Sequence, residues 1–205
     1  MRLAAILTVG LLAGPAAAFD ACTKTERGQF LAAVDRAERL ALTATTAIGP
    51  NPTFDRWFGP YNRKNGEIVR GNLKSMVKSL RSGEVAAACK NNGQGLCAGD
   101  VFAFVNLDDP YLVHLCDNFF QMDTMKLLTA ESITAGNGTR AGTIIHELSH
   151  FESVAGTEDL CYSREECSTM ARRAPRGALI NADSYQYFVE DVTFFGVRGE
   201  PEDQE

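Results

Sequence analysis

Histidine and tryptophan are scarce in this chain: three and one among 205 residues. With so few imidazoles, a pattern that uses two of them carries weight. Bases are also short, 20 Lys and Arg against 26 acids, for a net charge of −6 with histidine neutral. An acidic protein repels phosphate backbones, which argues against nucleic-acid binding. Past the first residues, no apolar run reaches the roughly 20 residues a bilayer span requires, so no membrane association is expected. There is no internal repeat and no low-complexity linker. No two cysteines have the short C-x-x-C spacing common in structural zinc sites.

What is present is an ordinary globular balance, 45% hydrophobic and 22% charged. Arg2, the apolar run from Leu3 to Leu12 and the small residues Ala16-Ala17-Ala18 read as a secretory signal peptide cut before Phe19. The expected organisation is a signal over residues 1–18 and a single domain over 19–205. Removal of Arg2 leaves 19 bases against 26 acids, a net charge of −7. Six cysteines behind a signal suggest three disulfides, and the sequence alone does not choose among the pairings. The expected location is secreted: extracellular, or periplasmic in a bacterium.

The segment from Thr25 to about Thr46 predicts a helix that Gly49-Pro50-Asn51-Pro52 ends. Trp57-Phe58 reads as core packing before a Gly59-Pro60 turn. A second helix is predicted from Asn65 to Leu80, with Ile68, Leu73, Met76, Val77 and Leu80 on its apolar face. Residues Val101–Val105 and Tyr111–Leu115 are short β-rich runs joined by a turn at Asp108-Asp109-Pro110, which predicts a small sheet. His114, alone in such a run, is assigned a structural role. Asp123 to Ala130 predicts a short helix, and Asn137-Gly138-Thr139 a turn that is also an N-x-T sequon. Helices follow at Arg140 to about Val154, Arg164 to Arg173 and Ala178 to Val192, and the acidic tail from Gly199 is expected to fray.

The chemistry lies in the fourth of these helices. His146-Glu147-Leu148-Ser149-His150 is an H-E-x-x-H pattern. Four residues exceed one helical turn by little, so both imidazoles project from one face and can share a metal ion. Glu147 then lies beside the metal without binding it, where it can take a proton from an activated water. Ile144, Ile145, Leu148 and Phe151 supply the apolar burial that such a helix needs.

A catalytic zinc takes three protein ligands and keeps one open position. A third histidine six residues past His150 is ruled out, because that position is Gly156. Glu165, Glu166 and Glu190 are candidates from later helices. Asp159 is another, nine residues past His150 and behind a glycine that can end the helix and turn the backbone.

The combination of His146-Glu147-x-x-His150 with Gly156-Thr157-x-Asp159-x-x-Tyr162 resembles the aspzincins, the deuterolysin and peptidyl-Lys metalloendopeptidase family. Asn181-Ala182-Asp183-Ser184-Tyr185 is similar to a family segment that lines the cleft, and Trp57-Phe58-Gly59 to one near the N-terminus. The resemblance implies an α+β zincin-like fold, mostly helical with a small β-sheet, and one Zn²⁺ per chain. It implies His146, His150 and Asp159 as ligands, Glu147 as general base and then acid, and Tyr162 as donor to the oxyanion. It places Asp183, Tyr185 and Gln186 at the substrate. It also implies sequential disulfides, Cys22–Cys89, Cys97–Cys116 and Cys161–Cys167.

One departure bears on specificity. In the lysine-specific branch an acid is expected three positions after the Asp of N-A-D, and here that position is Gln186. The expected activity is therefore a secreted zinc endopeptidase with a preference, short of strict, for a basic residue after the scissile bond. Protein or peptide substrates and a monomeric state are expected. Two alternatives stay open: a catalytically inactive zinc-containing binding or inhibitory protein, and a gluzincin-type peptidase with a glutamate as third ligand.

Overall fold

The computed structural model describes residues 19–89, 95–127, 129, 136 and 138–196. The expected signal segment, Asn137 of the sequon and the acidic tail lie outside them.

Helix α1, Lys24–Thr46, starts in a capping box: Thr23 Oγ1 accepts from the Glu26 N–H, and the Glu26 carboxylate accepts from the Thr23 N–H at 2.7 Å. Its buried stripe is Phe30, Ala33, Ala37, Leu40, Ala41 and Ala44, at the three- and four-residue spacing of one helix face. Four of those six are alanine, which lets neighbouring helices approach closely. At the far end, the Arg70 guanidinium donates to the carbonyls of Thr45 and Ile48, at 2.6 and 2.9 Å.

Helix α2, Pro52–Phe58, begins with proline behind an Asn51 cap. Helix α3, Arg63–Arg81, is capped by Asn62 and buries Val69, Leu73, Met76, Val77 and Leu80. Ile68, assigned above to that apolar face, is exposed; it sits one step round the helix from Val69. Trp57 and Phe58 are core residues, as read, and they close helix α2. Gly59 ends it at φ +75°, and a Cβ there would strike the Ala171 carbonyl and Pro175.

The sheet has four short strands: β1 Phe19–Asp20, β2 Ala86–Ala88, β3 Ala103–Val105 and β4 Leu112–Leu115. Its order is β1-β2-β4-β3, parallel except for the antiparallel β3–β4 pair, so β3 is an edge. Cys22–Cys89 ties the ends of β1 and β2, and Cys97–Cys116 ties the approach to β3 to the end of β4. Closing a loop of 67 residues contributes about 4 kcal/mol in the chain-entropy account. Strands of two to four residues cannot hold a sheet alone, which makes such staples important.

After α4, Asp117–Gln121, the described residues of the stretch expected as a helix, Asp123 to Ala130, are not helical: residues 125–127 form a turn, with the Leu127 N–H on the Thr124 carbonyl. The Asp123 carbonyl is taken by the Arg140 N–H, and so short a run lacks the length to offset helix nucleation. Helix α5, Arg140–Ser149, is shorter than predicted. The chain turns after His150, with the N–H groups of Val154, Ala155 and Gly156 all on the Phe151 carbonyl. Helices α6, Arg164–Arg173, and α7, Pro175–Ala178, lead to α8, Ala182–Phe195. The last starts later than predicted because Ile180 and Ala182 bond to Glu158 instead of continuing a helix.

Helix α5 packs between α1 and α8, beside the sheet. Phe54, Trp57 and Phe58 of α2 meet Tyr185, Tyr187 and Phe188 of α8 with ring centroids 5.1–6.0 Å apart. The Trp57 indole also donates to Asp191 Oδ2 at 2.8 Å, fully buried. Trp57→Phe keeps the ring packing and strands that oxygen. The expected loss is about 1–3 kcal/mol of stability, read from the urea midpoint.

Candidate active site

His146 lies in the last full turn of α5, and His150 caps its C-terminus with helical φ and ψ. Both rings therefore leave the same face, 4.9 Å apart. Each ring is fixed through Nδ1. His146 Nδ1 meets Asp183 Oδ1 at 2.7 Å, and His150 Nδ1 meets the Thr157 carbonyl at 3.0 Å. Acceptors at both Nδ1 atoms place the neutral rings' protons there, which leaves both Nε2 lone pairs free.

Those lone pairs converge on Asp159. Its Oδ1 is 3.2 Å from His146 Nε2 and 3.5 Å from His150 Nε2. Among the described residues, these three form the cluster able to hold a metal ion, with ligand atoms all within 4.8 Å of one another. Two imidazole nitrogens and a carboxylate oxygen suit Zn²⁺, with a further position open to the cleft. Glu165 and Glu166 begin α6 outside this cluster. Glu190 is fully buried elsewhere, so none of the three glutamates stands at the histidines.

The return of Asp159 is built by several small contacts. Gly156 takes φ +58°, the left-handed turn expected of it. The Thr157 N–H bonds the Ser149 carbonyl at 3.0 Å, and the two hydroxyls bond each other. Buried Asn181 then accepts from the N–H groups of Leu160 and Cys161, at 2.9 and 3.1 Å. Cys161–Cys167 joins the same loop to α6. The N-A-D segment thus serves two members of the cluster: Asn181 holds the Asp159 loop, and Asp183 holds His146.

Helix α8 approaches α5 closely because Gly142 has no side chain; a Cβ there would collide with Glu190 and Gln186. Asp183, Gln186, Tyr187 and Glu190 occupy one face of α8 at three- and four-residue spacing. The first three line the cleft with His146, Glu147, His150, Asp159 and Tyr162. The cleft encloses about 690 Å³, and Val101 to Val105, including the edge strand β3, form its opposite wall. Tyr185 does not reach it, contrary to expectation. It is buried on the other face of α8, its hydroxyl donating to the Leu179 carbonyl and accepting from Asn72. Asp183 lines the cleft, and its carboxylate is taken by His146. His114 stacks flat on Phe104, consistent with packing.

The charges are strongly coupled. Burial opposes a charge on His146, but its hydrogen bonds with Asp159 and Asp183 outweigh that and raise it to about 10. Burial lowers His150. Burial also works to raise Asp159, yet His146, His150 and a hydrogen bond from Tyr162 hold it below the usual carboxylate range. Glu147 is pushed up to about 7 by burial, with Asp159 and Asp183 adding to it and His146 opposing. Burial and the neighbouring Asp159 raise the half-exposed Tyr162 phenol.

Beyond the cleft, Arg164 is buried between α6 and α8. It donates to Asp191 Oδ1 at 2.6 Å and Glu190 Oε2 at 2.9 Å. Glu190 Oε1 in turn accepts from the N–H and hydroxyl of Thr139, which caps α5. Burial pushes Glu190 up to about 7 against these donors. Sequence reasoning offered Glu190 as a ligand and missed Asn181, Tyr187 and Arg164. Their partners lie too far along the chain for any local spacing to announce them.

Comparison with known proteins bears on this arrangement. The family model described as lysine-specific metallo-endopeptidase matches residues 43–190. An extracellular protease of Aeromonas hydrophila is 33% identical over 175 residues, covering 83% of this chain and 46% of that protein. A peptidyl-Lys metalloendopeptidase of Pleurotus ostreatus is 29% identical over 180 residues, covering 85% and 97%. A zinc peptidase from Grifola frondosa superposes with a TM-score of 0.72 at 26% identity, covering 84% of this chain and 98% of that structure. The chain thus spans about half the length of the Aeromonas protein and nearly all of the Pleurotus one.

Asp183→Asn keeps the shape beside His146 but offers it a weaker acceptor. Zinc affinity is expected to fall about 10–100-fold, measured by competition with a chromophoric chelator. Asn181→Ala frees the Asp159 loop, and its zinc affinity falls in the same sense.

Proposed function

The chain belongs to the lysine-specific metallo-endopeptidase family, the aspzincins, and on that premise we propose that it is a zinc-dependent endopeptidase acting on protein or peptide substrates outside the cytoplasm. The observation that carries this reading is the convergence of His146 Nε2, His150 Nε2 and Asp159 Oδ1 beside the buried Glu147. Three disulfides support an oxidising compartment, and no helix among the described residues is long and apolar enough to cross a membrane. Residues 1–18 are the proposed signal and 19–205 the proposed single domain, acting as a monomer.

His146, His150 and Asp159 would hold one Zn²⁺. When bound, zinc supplies a Lewis acid for the scissile carbonyl and lowers the pKa of a coordinated water. Glu147, at the floor of the cleft, takes the proton of the attacking water. It then delivers that proton to the leaving amine. A carboxylate whose burial raises it toward neutrality suits both halves of that transfer. Tyr162, half-exposed at the cleft mouth, donates its phenolic hydrogen to the oxyanion as the carbonyl becomes tetrahedral. Its raised pKa keeps it a donor at neutral pH. Asp183 fixes the His146 tautomer, so substrate contact on that wall falls to Gln186 and Tyr187.

The cleft carries Asp100, Asp159, Asp183 and Glu147, with no lysine or arginine among its lining residues. That sign favours a basic residue after the scissile bond. The neutral Gln186, and Asp183's engagement with His146, keep the preference short of strict lysine selectivity. The fungal relatives' names, peptidyl-Lys metalloendopeptidase, support the direction.

Glu147→Gln is expected to lower casein hydrolysis at least about 100-fold with one zinc per chain retained, by metal analysis. Full activity in that variant sinks the mechanism, and a wild-type chain that binds zinc yet never digests casein favours the inactive binding protein. Asp159→Ala should lose metal, whereas retention would favour a glutamate ligand. Mass spectrometry of products from a mixed proteome reads the specificity. Gln186→Glu is expected to raise the share of cuts before lysine, and an unchanged distribution would remove position 186 from the specificity site.

A further inference from the structure

Between Tyr162 and Arg164 stands Ser163, with φ +70° and ψ 154°. That region is open to glycine and nearly closed to residues with a Cβ, so a serine persists there only when its surroundings force it. The forces are visible on both sides. Upstream, Cys161 is tied to Cys167 and its N–H to Asn181. Downstream, the Arg164 guanidinium is buried and pairs with Asp191 and Glu190. It also lies over the Tyr187 and Trp57 rings, 4.5 and 5.5 Å from their centroids. Tyr162 between these anchors is 58% exposed, with its N–H on Glu166 Oε2 at 3.3 Å. Little packing around the phenol holds it, so its direction follows from the backbone.

We propose that Arg164 is a positioning residue for Tyr162: its buried pairing with Glu190 and Asp191 clamps the strained Ser163 backbone and so aims the phenol into the cleft. Through Glu190 the same guanidinium is linked to Thr139, the cap of α5. The oxyanion donor and the helix carrying His146 and Glu147 are thereby registered to one another by one cation. The proposal rests on the reading of Tyr162 as oxyanion donor. Lysine cannot replace arginine here, because a single ammonium does not present two parallel donors to two carboxylates.

The test is a double-mutant cycle on the zinc-loaded full chain, with kcat and KM measured separately on a fluorogenic peptide. Arg164→Lys is the working variant, since it keeps a buried cation, and Arg164→Met is the severe one. Arg164→Lys is expected to lower kcat on the order of tenfold, a fraction of what loss of an oxyanion donor costs, with KM and zinc content little changed. In a Tyr162→Phe background the further loss should vanish, because there is no hydroxyl left to misplace. Ser163→Gly, which adopts this backbone without strain, should restore part of the kcat lost in Arg164→Lys. A phosphinic peptide that mimics the tetrahedral centre should bind Arg164→Lys more weakly by a similar factor, with product-peptide affinity unchanged.

Additive losses in the Tyr162→Phe background, or unchanged kcat in both Arg164 variants, overturn the proposal while leaving the role of Tyr162 intact. Full kcat in Tyr162→Phe alone overturns the oxyanion reading itself, and the positioning proposal with it. A variant that binds zinc and melts like wild type yet shows the Tyr162-dependent loss separates positioning from general destabilisation.

Discussion

Asp183 Oδ1 lies 2.7 Å from His146 Nδ1, and that contact requires two helices to be held in register. Helix α5 has only ten residues, and α8 crosses it from a segment nearly forty residues later. A shift of one residue along α8 would turn Asp183 away and bring Ala182 or Ser184, neither of them a carboxylate, to the imidazole. The close approach depends on Gly142, whose place a larger residue could take only by displacing Glu190 and Gln186. The aromatic packing of α2 on α8 holds the other side. The core therefore sets which nitrogen of His146 carries the proton, and through that the direction of the lone pair at Nε2.

Besides Glu147, three carboxylates and a guanidinium are buried around that contact, and burying charge is costly unless groups find partners. Here the donors are counted out closely. Arg164 serves Glu190 and Asp191, Trp57 serves Asp191, and Thr139 serves Glu190. His146 serves Asp183. Such a network contributes less to net stability than to uniqueness, because any alternative packing leaves a buried charge without a partner. The disulfides act from the other side, by restricting the unfolded chain, and Cys161–Cys167 lies where the loop must be held tightest.

The parts of the site legible in sequence are those governed by local geometry. Four residues of helix bring His146 and His150 together whatever surrounds them, and Gly156 turns the chain because few other residues enter its backbone conformation cheaply. The long helices α1 and α3 could be read from composition and caps for the same reason. Tyr185 was misplaced because the position of an α8 residue depends on which face meets α5, and no local pattern sets that phase in a helix buried nearly all round. The Asp123 turn failed differently: a carbonyl bond to Arg140, across a segment of sequence, decided it. Asn181 and Arg164 act entirely through distant partners.

That division bears on specificity. If Asp183 were a free carboxylate, it could hold a substrate cation much as an isolated surface acid does. It is instead buried and engaged by the His146 imidazole, so one of its oxygens is already taken. A cation approaching along this wall meets the neutral amide of Gln186 and the residual field of several acids rather than a dedicated pair. Such a field falls slowly with distance and is screened by salt, so it ranks substrates by charge without enforcing one side chain. Strict selection needs a directional, desolvated partner, because only an unpaired buried group rejects the wrong residue strongly. A second carboxylate at position 186 would supply that partner, whereas the amide found there supports recognition graded by charge. A dication held by His146, His150 and Asp159 would add positive charge to the same cleft and weaken that gradient further.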